Sequence, residues 1–373
     1  MREDGAVVNG SAVSEGAAVR VGFVLGTSAG GVGRHVRMLA RGMTERGVTV
    51  VVAGPAATEE AFGFAAAGAR FTAVEIADRP RPGADLRAVA RLRRVLAGAG
   101  VVHAHGLRAG ALAALARAGR RQRLVVTLHN APTAGGAVAA VYGLLERIVA
   151  ARADLVLVVS PDLGERMRAR GARGVAPAVV PAPAPAPSGR DPREVRDALG
   201  AGDRPVALTV ARLAQQKGLD TLLAAAGHER RPLWAVAGEG PLRADLERGI
   251  AAGDLPVRLL GDRGDVPDLL GAADVVVVPS RWEGQPLIVQ EALRAGRPLV
   301  AADVGGIPGM VGEAALLVPA GDPGALAGAV ARVLDDEALR ARLAAESARR
   351  GAALPGEDDA VDAALAAYAE TGA

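Results

Sequence analysis

The chain has 373 residues, half of them apolar and 23% charged, with no cysteine and a formal net charge of +3. Those figures exclude wholesale disorder, disulfide scaffolding and thiolate chemistry, and the length calls for two domains of ordinary size. The pI near 10.0 is no nucleic-acid footprint, because it reports arginine in place of lysine: Lys217 is the single lysine among 44 basic residues.

Residues 1–18 are polar and mixed in charge, lack the apolar core of a signal segment and read as a loose tail. From Val19, short β-branched runs alternate with Ala/Leu/Arg segments of helical spacing. The first series of strands reads at 19–26, 48–54, 71–76, 100–105, 124–129 and 154–160. Continuously apolar strands between helices predict a parallel sheet buried on both faces. The helix expected at 85–98 sets Arg87, Arg91 and Arg94 opposite Leu86, Val89, Leu92 and Leu96. It reads either as a solvated arginine face or as a peripheral contact with an anionic membrane.

A Pro/Ala run, "VAPAVVPAPAPAPSGRDP" at 175–192, sustains neither a helix nor a central strand and reads as a semi-rigid connection. A second series of strands follows at 205–210, 232–238, 256–261, 274–280, 297–302 and 314–320, and a last helical stretch at 359–372. The expected architecture is α/β, two doubly wound Rossmann-like domains facing each other across a cleft. Its parts are a disordered tail 1–18, a first domain 19–180, a linker 181–203, a second domain 204–352 and a C-terminal segment 353–373 able to pack back on the first domain. No apolar run is long enough to span a bilayer, so the expectation is a cytoplasmic protein, at most peripheral to the inner face of the membrane.

In such folds ligands bind at the carboxyl ends of the strands. After the first strand, Gly30 and Gly31 open a helix whose N–H groups can hold an anion. A dinucleotide fingerprint fits poorly: Val36 holds the place of its third glycine, and no acidic residue ends the second strand. After the strand at 205–210 stand Arg212 and Lys217, five apart, where a guanidinium fork and a compact ammonium can converge on a diphosphate. After the strand at 274–280 come Glu283 in a loop and Glu291 in the next helix, which can face one ligand from two depths and accept from sugar or ribose hydroxyls. Among the five histidines, His129 ends a strand on the cleft side of the first domain. His103 and His105 alternate along a strand, one of them reaching the cleft and His103 expected buried and satisfied, while His35 and His228 read as ordinary helix residues. No spacing among these residues makes a metal site.

The segments "GGVGRHVRMLA", "ARLAQQKGLDTLL", "AGEGPLRADLE", "AADVVVVPSRWEGQPLIVQEAL" and "GRPLVAADVGGIP" together resemble the retaining glycosyltransferases of family 4, with the GT-B fold. The likeness runs from about residue 19 to the C-terminus, and the pair of glutamates with the Arg/Lys pair is its specific part. The resemblance implies transfer from a nucleoside-diphosphate sugar to an acceptor (lipid, glycan or small molecule) with the anomeric configuration kept, and with neither metal nor cofactor. It implies donor binding by Gly30, Gly31, Arg212, Lys217, Gly238, Glu283, Gly284, Leu287, Ile288 and Glu291, and catalysis by His129, Glu283, Arg212 and Lys217. Within that set the two basic residues would take the diphosphate, Glu283 the donor sugar and Glu291 the ribose. The chain departs from the family at Gln285 and Pro286, where an aromatic and a glycine are usual, and at Gly309, where an acid often stands. The Pro/Ala run replaces the usual Pro-Asn-Gly segment. A nucleotide-sugar-binding protein without catalysis and a GT-B sugar-nucleotide epimerase are the alternative readings.

Overall fold

The structure is a computed structural model and describes residues 20–28, 30–77, 79–130, 136–183 and 189–369, so the expected tail at 1–18 lies outside it. The first domain runs β1 (Arg20–Leu25), α1 (Gly31–Glu45), β2 (Thr49–Gly54), α2 (Ala56–Phe62), β3 (Arg70–Ala73), α3 (Pro82–Val95), β4 (Val101–His105) and α4 (Leu107–Ala116). It continues with β5 (Arg123–Leu128), α5 (Gly136–Arg152), β6 (Leu155–Val158), α6 (Pro161–Ala169) and β7 (Val175–Pro177). Its seven strands are parallel, in the order β3-β2-β1-β4-β5-β6-β7. The seventh strand comes from the start of the Pro/Ala run: it lies on the edge of the sheet, where a proline costs no ladder bond.

The second domain begins with α7 (Pro192–Ala198), inside the stretch 181–203 expected to be linker. Pro192 supplies the fixed φ favoured at the first helical position, and the Asp191 side chain caps the amide of Arg193. Val195, Leu199 and Ala201 then bury in the second core, so this part of the stretch is domain rather than spacer. The domain continues with β8 (Val206–Val210), α8 (Leu219–His228), β9 (Leu233–Ala237), α9 (Arg243–Gly253), β10 (Val257–Gly261), α10 (Val266–Ala272) and β11 (Val275–Val278). Next come α11 (Leu287–Arg294), β12 (Leu299–Ala302), α12 (Ile307–Val311), β13 (Ala315–Val318), α13 (Pro323–Asp335) and α14 (Glu337–Ala352). Its parallel sheet has the order β10-β9-β8-β11-β12-β13.

The chain then crosses back, and α15 (Glu357–Ala369) packs on α1 of the first domain. Arg46 ion-pairs with Asp358 at 2.9 Å, Arg41 with Glu357, and Ala360, Val361 and Tyr368 join the first core. Leu92 on α3 and Leu96 just after it are buried, but Leu86 is 73% exposed beside Arg87, so the expected apolar face of this helix is only partly used. In each sheet the strand order reverses once, between β1 and β4 and between β8 and β11. Loops leaving those four strands diverge and open a crevice, which places the candidate site.

Candidate active site

Strands β8 and β11 pair directly, Ala207 opposite Val275, so the loops that follow them emerge side by side. The first loop passes Arg212 and coils into a 3-10 turn at Gln215–Lys217. Two bonds staple that turn to the second loop: the Arg281 amide donates to the Gln216 carbonyl (2.8 Å), and the Gln216 amide side chain to the Trp282 carbonyl (2.9 Å). The staple brings Lys217 Nζ to 2.6 Å from Glu283 Oε1, which also accepts from Ser280 Oγ at 2.6 Å. Glu283 is only 6% exposed, and these two donors satisfy its buried carboxyl group. The two residues assigned from the sequence to different parts of a ligand are therefore partners. Arg212 is exposed and has no ion pair among the described residues.

Backbone contacts fix the rest of this half. The Gly306 amide donates to the Glu283 carbonyl (3.0 Å), and Gly305 has φ +55 with its Cα so close that a Cβ would collide with that same oxygen. Gly238 follows β9, donates to the Gly261 carbonyl at 2.7 Å and lies against the carbonyl of Ala211. Gly284 lies against Val159 of the first domain, where a Cβ would stand 3.5 Å from the carbonyl oxygen of His129. Pro286 caps α11; Leu287 and Ile288 form its first turn, Ile288 packing on the second core. Glu291, one turn on, is mostly desolvated, which raises its carboxyl above the ordinary range against the pull of Arg34 and Arg294.

The first domain contributes α1, which starts at the Gly30–Gly31 turn; the Gly33 amide is held by Ser28 Oγ at 3.2 Å. A Cβ on Gly31 would lie 3.9 Å from Leu287 Cδ1, so the N-termini of α1 and α11 face each other, and Arg34 acts on Glu291 from across the cleft. Two positive helix ends and three basic side chains near two carboxylates form a site suited to a ligand with both anionic and hydroxyl groups.

Behind α1 four of the five histidines gather. His129 Nε2 lies 3.1 Å from His105 Nδ1, and the rings of His105 and His103 stand 4.2 Å apart. His103 is satisfied, by Tyr368 at 2.6 Å and Thr127 at 2.7 Å. His35, expected to be an ordinary helix residue, is buried with its ring 5.7 Å from His105 and 5.6 Å from His129. It differs because the buried face of α1 carries it inward, onto the histidines at the ends of β4 and β5. Burial pushes His129 down to about 4 and His103 to about 3, and holds His35 and His105 well below the usual imidazole range, so all four are neutral at pH 7. Among the described residues no group of three or more His, Cys, Asp or Glu is arranged to hold a metal ion.

Ser280, Trp282, Gly305, Gly306, Arg34 and His35 were not legible as site residues, whereas His105 was read as the strand histidine that reaches the cleft. The only signal was the Gly-Gly-Ile-Pro at 305–308, whose partner lies 22 residues away in sequence and adjacent only in space.

Residues 30–183 match the family described as glycosyl transferase 4-like domain, and residues 204–336 that described as glycosyl transferases group 1. A D-inositol 3-phosphate glycosyltransferase of Xylanimonas cellulosilytica is 33% identical over 299 residues, 72% of each chain. The alpha-D-kanosaminyltransferase of Streptomyces kanamyceticus is 34% identical over 189 residues, 48% of this chain and 49% of that one. The chain thus spans about half the length of this and other curated relatives that it matches. In three dimensions it is similar to Anabaena Alr3699/HepE in complex with UDP, with a TM-score of 0.80 and 20% identity over 94% of this chain and 100% of that one.

Proposed function

The chain belongs to the group 1 glycosyl transferases, with a 4-like first domain and the GT-B fold, and from that membership we propose that it transfers a sugar from a nucleoside-diphosphate donor with retention and without a metal. The observation that carries the reading is the Lys217–Glu283–Ser280 cluster, built on the loop that carries Arg212 and on the loop leading into α11, whose N-terminus meets that of α1.

Cleavage of the glycosidic bond develops negative charge on the leaving diphosphate, and preorganised cations stabilise that charge most where water is excluded. Lys217, half-buried and oriented by Glu283, and the exposed Arg212 supply it, with the α1 and α11 N-termini adding partial charge. The β-phosphate would lie at Gly30 and Gly31, the donor sugar between Glu283 and His129, and the ribose at Glu291. Held neutral, His129 offers the sugar a hydrogen bond and no charge. Leu287, Ile288 and Gly284 line the donor path, and Gly238 supports the Arg212 turn.

Solved structures similar in fold hold UDP or UDP-glucose, so UDP is the probe of choice. Calorimetric titration should show binding to the wild type and a loss of about tenfold or more in Lys217→Ala, the worth of one charge-assisted contact. Equal affinity in the two proteins would remove Lys217 from the diphosphate. Transfer from the native donor should persist in excess chelator; abolition with rescue by Mg²⁺ or Mn²⁺ would overturn the cation scheme. Donor binding without any turnover, across a panel of acceptors, would favour the non-catalytic reading.

A further inference from the structure

The departures at Gln285 and in the Pro/Ala run are two sides of one device. Residues 178–182 run extended beside α11, and Pro181 and Pro183 carry no N–H. The amides of Val180 and Ala182 therefore lie on one edge, as alternate residues of an extended chain do. Side chains, not a strand, meet that edge. Gln285 donates to the Ala178 carbonyl (2.6 Å) and accepts from the Val180 amide (3.0 Å). Gln290 donates to the Val180 carbonyl (2.8 Å) and accepts from the Ala182 amide (2.8 Å). Arg294 continues the ladder to the Ala182 carbonyl (2.8 Å), and its other nitrogen donates to the carbonyl of Pro355 at 3.0 Å.

Pro355 belongs to the second crossing between the domains, since α14 ends at Ala352 and α15 is anchored on α1. One helix thus grips both places where the chain passes between domains, and it is the helix that carries Glu291 and follows Glu283. At its other end the first crossing stays with the first domain, where the Ala178 amide donates to Val158 at 2.8 Å. A cavity of about 460 Å³ beside the ladder, lined by Val159, Ala178, Gln285, Met310, Arg350 and Pro355, leaves the domains loosely packed there. The bonds from Gln285 and α11 therefore hold the two domains together beside the cavity, in addition to the contacts that Trp282 and Gly284 make with the first domain.

We propose that Gln285, Gln290 and Arg294 form a clasp that holds both crossings against the donor helix and so fixes the width of the catalytic cleft. They are positioning residues, acting on the reaction through the spacing of His129 and the α1 N-terminus from Glu283. This rests on the proposed transferase reading only for its kinetic consequence.

The chain has no cysteine, so two introduced ones label uniquely. Cysteines at the exposed Ala57 on α2 and Ala244 on α9, both away from the β7 edge where the linker leaves, would carry spin labels. Without ligand, the clasp-intact protein should give one narrow distance distribution, and Arg294→Ala and Gln290→Leu should each about double its width, as expected for a released hinge. Gln290→Glu, which keeps the bond from Ala182 and loses the one to Val180, should fall between. Should Arg294→Ala fail to fold, Gln290→Leu decides. Unchanged distributions in folded variants would overturn the clasp. In the kinetic arm, kcat should fall about tenfold or more while UDP affinity holds, since a misplacement of about 1 Å is enough for that loss; equal changes in both would also count against it. A wild type that binds no UDP would sink the nucleotide assignment and leave the distance result standing.

Discussion

Glu283 and Glu291 sit eight positions apart and in opposite electrostatic situations. Glu283 is buried against Lys217 and Ser280, whereas Glu291 is desolvated, with Arg34 and Arg294 pulling the other way. Replacing Glu283 by Gln leaves the Lys217 ammonium without its counter-charge, so this variant should lose both kcat and about 1–3 kcal/mol of stability. Replacing Glu291 by Gln removes a charge that burial already disfavours, so its melting midpoint should hold or rise while the donor KM increases. Interactions made equally in ground and transition states move KM, and those strengthened in the transition state move kcat. Steady-state kinetics with thermal melts on the two variants check the split; a swap of the two outcomes would place the donor in the reverse sense. The lysine at 217 was legible as exceptional because no other position uses one, but its partner was not: 66 residues separate it from Glu283.

At the scale of elements, the loops that follow β8, β11 and β12 support one another through backbone contacts. Gly305 is where that support is tightest, with a positive φ and the Glu283 carbonyl pressed against its Cα. Gly305→Ala should cost about 1–3 kcal/mol in backbone strain and push Glu283 off Lys217. Its measurable result is a fall in kcat larger than that of Gly309→Ala, since Gly309 has open space around it. Equal effects from the two would show that the Gly305 contact does not position the loop. The glycine-rich motif announced a turn in the sequence, and the spacing of β11 and β12 in the sheet explains which carbonyl the turn accommodates.

For the whole molecule, the neutral histidines make stability depend on pH. His103 and His129 titrate near 3 and 4 when folded, below the value of about 6.5 of an unfolded chain. Between those values the unfolded chain binds more protons, so their contribution is complete above about pH 6.5 and is lost as pH falls towards 4 and 3. The melting midpoint should therefore fall from pH 7 to pH 5, and fall less steeply in His103→Gln. A flat profile over that window would mean that the cluster takes up protons without unfolding. His35, His105 and Tyr368 face the same pair, and α15 closes the cluster by way of Tyr368, so acid should also loosen the C-terminal helix from the first domain.

The alternation of apolar strands with helices is a local property, and with it the sequence alone determined two parallel-sheet domains and the strand ends at which Arg212, Lys217, Glu283, Glu291 and His129 would stand. Burial on both faces of each strand leaves a continuous apolar run, which can be read without knowing its neighbours. Helix α7 inside the supposed linker, the pairing of Lys217 with Glu283, the gathering of His35 with the strand histidines and the clasp on both crossings were decided only by tertiary structure. Each joins residues from about 20 to more than 100 positions apart, and strand order, which sets those meetings, depends on how whole sheets close over their helices.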